Sequence, residues 1–92
     1  MNKNLMMVMD NQMNPGKYSK EQLIRNASEA AVDYSNAGEY LTSDVAAIVD
    51  AAAYVASYTN NAAIEYWLDQ YFEVTKENKQ DYIDEINKED KQ

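Results

Sequence analysis

Residues 42–58, TSDVAAIVDAAAYVASY, form the run that the other segments have to cover. Val45, Ile48, Val49, Ala52, Val55 and Ala56 recur at spacings of three and four, which is the apolar stripe of a helix. Thr42 or Ser43 can cap it, and Asp44 suits the positive N-terminus. The rest of its surface is also poor in charge. It is therefore expected to be the central, most buried helix, and its alanines let a neighbouring helix approach closely. Nothing points to a membrane: Asp50 interrupts the Ala-rich run 45–56, and the apolar run Leu5 to Met9 is too short for a span.

Upstream, Ser19 and Gln22 stand at capping-box spacing. Leu23, Ile24, Ala27, Ala31 and Tyr34 follow on one expected stripe, and Gly38 is the expected stop. Downstream, Thr59-Asn60-Asn61 reads as a break or kink. Ile64, Trp67, Leu68, Tyr71 and Phe72 then give a strong amphipathic pattern, with Trp67, Tyr71 and Phe72 expected in the core. Thr75 can cap a last helix whose only apolar residues are Tyr82, Ile83 and Ile86, so that helix needs a partner or frays.

The first segment has two readings. Five apolar residues in a row, Leu5 to Met9, suit a strand. Met and Leu suit a helix that Asn14-Pro15-Gly16 stops, and helix is preferred. The expected fold is one mainly α domain over residues 1–92. It is a small bundle of three to four helices, with residues 19–92 helical and residues 1–18 as the N-terminal segment, a strand or a helix.

The chain has 92 residues, with 16 acids, 8 bases, no His and no Cys, for a net charge of −8. The missing thiols exclude a disulfide framework, a zinc finger and a cysteine nucleophile. The missing imidazoles exclude a Ser-His triad and a His pH switch. The negative charge argues against direct nucleic-acid binding, which needs a basic patch. The acids are regularly spaced, with no calcium-loop motif. An acyl-carrier protein needs Asp-Ser-Leu at a helix start, and Ser43-Asp44-Val45 reverses that order. The expectation is a cytoplasmic protein with no catalytic residues, no metal and no cofactor.

The charge is positioned. Residues 1–25 hold four bases and two acids, and residues 76–92 hold four bases and six acids. Residues 26–75 hold eight acids (Glu29, Asp33, Glu39, Asp44, Asp50, Glu65, Asp69 and Glu73) and no base. From Glu65 an acid recurs at every fourth residue: Asp69, Glu73, Glu77, Asp81, Glu85 and Glu89. On a helix that is one carboxylate about every 6 Å of axis. Like charges four apart cost a helix about 0.2–0.5 kcal/mol per pair. A plain solvated face is one explanation, because an apolar stripe leaves acids at that spacing. The other is a partner that relieves the repulsion. Carboxylates in rows can stand in for phosphates, and a basic groove built for DNA would attract them. The candidate surface is then Glu29, Asp33, Glu65, Asp69, Glu73, Glu77, Asp81 and Glu85. Tyr66 lies on its acidic side, as a possible anchor. Asp50, Tyr54 and Tyr58, four apart, read either as an intrachain contact or as a dimer seam.

Small size, acidity, the base-free span, the opening Met1-Asn2-Lys3-Asn4 and the Asn/Lys-rich ends together resemble the phage-encoded DNA-mimic anti-restriction proteins. The resemblance implies a homodimeric inhibitor in the host cytoplasm. Its partner would be a restriction nuclease or a nucleoid protein, displaced from DNA. The alternative is a helical interaction module that docks by its apolar and Tyr surface.

Overall fold

The computed structural model describes residues 1–37, 43–58 and 61–90. Among them are five helices: α1 (Lys3–Met13), α2 (Lys20–Ser35), α3 (Ser43–Ala56), α4 (Asn61–Thr75) and α5 (Lys79–Asp90). This corrects the expectation of three to four helices and removes the strand reading of residues 1–18. Gly38, Glu39, Thr42, Thr59 and Asn60 lie outside the described residues, and with them the expected stop at Gly38 and cap at Thr42.

α1 is a helix because both of its faces find cover. Asn2 caps it, its Oδ1 accepting from the Leu5 amide at 3.0 Å. Leu5, Val8 and Met9 are buried in the common core. Asn14 caps the other end, and Gly16, at φ +88°, takes the left-handed turn that a side chain would strain.

α3 is the hub. Ala46, Ile48, Val49, Ala52, Ala53 and Ala56 are all buried, and the helix packs against α1, α2 and α4. The expected centrality holds. α4 adds Ile64, Leu68 and Tyr71, with Trp67 and Phe72 partly buried against the same core. α5 rests on α1 through Tyr82 and Ile86, both fully buried, with Ile83 at the margin. Fully burying a side chain of this size contributes about 1.5–3 kcal/mol, which offsets the polarity of the rest of the helix. The Tyr82 ring meets Phe72 edge-on at 5.2 Å and Tyr71 at 6.3 Å.

α2 forms with the expected capping box at Ser19 and Gln22. Its buried stripe differs from the expected one. Leu23, Asn26 and Ala30 face the core, with Ala27 partly buried, while Ile24, Ala31 and Tyr34 are exposed. The helix is rotated because Asn26 is satisfied inside, its Nδ2 donating to the Asn4 carbonyl at 3.0 Å. At the far end of α4, Lys76 takes φ +61° and ends the helix. Asn78, not Thr75, caps α5, its Oδ1 accepting from the Gln80 amide at 2.8 Å. Thr75 closes α4 instead: its hydroxyl donates to the Tyr71 carbonyl and accepts from the Glu77 amide.

The loop from α1 to α2 is tied to a buried carboxylate. Asp10, 2% exposed, accepts from Lys17 Nζ (2.7 Å), Tyr18 Oη (2.6 Å) and Asn14 Nδ2 (2.8 Å). Burial pushes the Asp10 carboxyl up, but these donors outweigh it and hold the group below its ordinary 3.8. Burial and the adjacent Asp10 push Tyr18 up to about 12, so it remains a donor. A carboxyl depressed by folding stabilises above its ordinary value, and that contribution fades as pH falls through the folded value. Asp10→Asn is therefore expected to cost about 2 kcal/mol at neutral pH. In urea denaturation the gap to wild type should hold at neutral pH and shrink at pH values below the ordinary 3.8.

Candidate functional site

The eight candidate acids do not form one continuous row. The positive φ at Lys76 breaks it between Glu73 and Glu77. Glu65, Asp69 and Glu73 lie on α4, Glu77 in the turn, and Asp81 and Glu85 on α5. Glu29 and Asp33 lie on α2.

Glu29, Asp33 and Glu77 come together. They line a cleft of about 1000 Å³ with Arg25, Lys3 and the N-terminal residues of α1. Two of these acids already have structural partners. Asp33 accepts from Asn4 Nδ2 at 3.2 Å. Glu77 is clasped by two tyrosines: Tyr71 donates to one carboxylate oxygen at 2.7 Å and Tyr82 to the other at 2.6 Å. The Asn2 amide donates to the Tyr82 hydroxyl at 2.9 Å. Burial, then neighbouring Tyr82 and Glu77, pushes Tyr71 well above the ordinary tyrosine value. Burial and Glu77 push Tyr82 in the same direction. Both phenols therefore stay protonated and donate. This clasp joins the α4–α5 turn to the start of α1, which makes Glu77 a structural acid.

Glu65 and Asp69 border a different cleft, of about 380 Å³, with Met9, Met13, Lys79 and Ile83. Asn4, beside Asp33, and Gln12, beside Glu65, are eight residues apart on α1, or about 12 Å of helix. The acids thus divide into two groups near opposite ends of α1.

The α4 group has no such partners. Glu65, Asp69 and Glu73 are exposed, and among the described residues none forms an ion pair or a side-chain hydrogen bond. Lys79 shares the cleft with Glu65 and Asp69 without reaching ion-pair distance of either. α4 has no base in its last turn, so Glu73 sits at the negative end of the helix dipole, with Lys76, just past the helix, the nearest base in sequence. Tyr66, 56% exposed, stands on the same helix, edge-on to Trp67 at 5.0 Å. On α5 the acids have local reasons to be there. Asp81 lies in the first turn, where the dipole favours it, and Lys88 lies in the last.

Among the described residues, no group of three or more His, Cys, Asp or Glu is placed to hold a metal ion. No described helix is long and apolar enough to cross a membrane. No family model, curated protein sequence or solved structure matches the chain.

The two kinds of acid respond oppositely to neutralisation. Glu73→Gln removes repulsion from Asp69 and a charge from the negative helix end, and should stabilise by about 0.5 kcal/mol. Glu77→Ala removes two charge-assisted hydrogen bonds and should destabilise by about 1–2 kcal/mol. Thermal melts of the two variants against wild type read both signs.

Proposed function

We propose that the chain occupies the DNA-binding surface of a basic protein, such as a restriction nuclease or a nucleoid protein, and thereby competes with DNA. The acid row of α4 carries this reading. Glu65, Asp69 and Glu73 are exposed and unpaired, and their arrangement costs the helix stability. A surface kept against its own folding interest is explained by a partner that supplies the missing cations.

Magnitudes say which form of mimicry applies. The molecule is 35 Å long, and duplex DNA of that length carries about 20 phosphate charges. A net charge of −8 is far below that, so the whole surface does not imitate a duplex. The α4 row steps by about 6 Å. Alternate phosphates of one strand are about 6.8 Å apart along the axis. The reading is therefore local: one helix face presents carboxylates at a spacing that a phosphate-binding groove accepts.

A second reading is favoured by Ile24, Tyr54 and Tyr58, which are large, apolar or aromatic, and exposed. A module docking through that surface binds with little dependence on salt.

Purified restriction nucleases and nucleoid-associated proteins, titrated with the chain, separate the two. The expected result is binding that duplex DNA displaces and that weakens steeply as salt rises. Combined Glu65→Gln, Asp69→Asn and Glu73→Gln substitution should cost at least about tenfold in affinity. Complexes that DNA does not displace, or that ignore both salt and the triple substitution, overturn mimicry and favour the apolar docking surface.

A further inference from the structure

The face shared by α2 and α3 gathers three exposed large side chains around one groove. Ile24 is 46% exposed, Tyr54 55% and Tyr58 63%. They border a groove of about 490 Å³ whose floor includes Ala27 and Ala31. The charged residues lining it are one base, Lys20, and one acid, Asp50. Asp50 is half-buried, and among the described residues it has neither a hydrogen bond nor an ion pair. Burial pushes its carboxyl above the ordinary value. Lys20 is likewise unpaired, although it lines the same groove. The Tyr54 and Tyr58 hydroxyls meet at 2.9 Å, and their rings pack edge to face at 4.9 Å. This fixes two large side chains in one raised ridge.

Charge selects the occupant. A basic partner is drawn to the unpaired acids of α4 rather than to a groove whose two charges cancel. A second copy, itself at −8, is repelled by most of this surface and least by a balanced face. The groove is also suited to meet itself. Lys20 opens α2, and Ser57, just past α3, lines the groove with it. Asp50 is seven residues before Ser57, about 10 Å further along the axis. A twofold axis crossing the groove between the two levels sets Lys20 of each copy against Asp50 of the other. That gives each half-buried carboxylate its missing cation and closes an isologous interface. Ala27 and Ala31 allow the helices to approach closely, as in a four-helix layer.

We propose that the α2–α3 face is the interface of a homodimer, with Lys20 of one copy paired to Asp50 of the other and Ile24, Tyr54 and Tyr58 packed across the twofold axis. The interface uses none of Glu65, Asp69 and Glu73, and it does not depend on DNA mimicry.

Sedimentation equilibrium tests it. Wild type is expected at 21 kDa, twice the chain mass of 10.5 kDa, at about 100 μM. Ile24→Glu should give a monomer with unchanged helical circular dichroism, since the side chain lies outside the core. Lys20→Glu and Asp50→Lys should each weaken the dimer by about tenfold, and the two together should restore it. A monomeric wild type overturns the proposal, as does a dimer that ignores Ile24→Glu. A double variant as weak as either single one also overturns it. DNA competition by the Ile24→Glu monomer is read separately, so loss of the dimer and loss of the α4 reading are distinguishable outcomes.

Discussion

The constraint on which the structure depends is that α3 must be covered on nearly every side. It has alanine where most helices carry large apolar residues, so its own side chains bury little area. The remedy is close approach. Ala46, Ala52, Ala53 and Ala56 are almost completely buried because α1, α2 and α4 all pack against this one helix. Larger residues on the neighbours, such as Leu5, Val8, Ile64 and Tyr71, fill the volume that alanine leaves. A hub of this kind tolerates almost no charge. The charges are displaced to the outer faces of α2, α4 and α5, and the acids of the base-free span fall largely on α2 and α4.

The displaced acids then follow two fates. Asp10, buried, and Glu77, exposed at the turn, both organise donors: Lys17, Tyr18 and Asn14 for the first, Tyr71 and Tyr82 for the second. Each holds a junction, the first the α1–α2 loop and the second the α4–α5 turn. A carboxylate with two oxygens can take several donors at once, which suits it to places where chain segments meet. Glu65, Asp69 and Glu73 do nothing of this kind. The same residue type thus serves as a structural knot at one position and as free surface charge at another, told apart by hydrogen bonding and, for Asp10, by burial.

This difference marks what was legible in the sequence. Hydropathy at three-and-four spacing is local, so α3 as the buried hub, the Ser19 and Gln22 capping box, and the Ile64, Leu68 and Tyr71 stripe could be read directly. The rotation of α2 could not. Asn26 is inside only because the Asn4 carbonyl, 22 residues away, accepts from it. No local pattern would place an Asn in the core and an Ile outside it. The break in the acid row was hidden for a similar reason. Fourfold spacing continues through Glu77, but Lys76 turns left-handed because the Glu77 clasp and the burial of Tyr82 hold α5 against α1. Asp10 gave a faint local sign in Lys17 and Tyr18, seven and eight residues on, but its burial depends on the tertiary fold.

The α2 rotation has a consequence for the surface. With Asn26 turned inward, Ile24 and Ala31, expected on the core-facing stripe, stand exposed on the same side as Tyr54 and Tyr58. Satisfying one amide inside costs the burial of one isoleucine outside, and a buried Ile is worth about 1.5–3 kcal/mol. An isolated chain would do better with the apolar residue inside. The arrangement makes sense if the isoleucine is buried elsewhere, by something that meets this face. Together with the unrelieved acids of α4, it means that the chain forgoes stability at two separate places. One place carries unpaired charge and the other unpaired apolar surface, so the contacts that would satisfy them differ in chemistry.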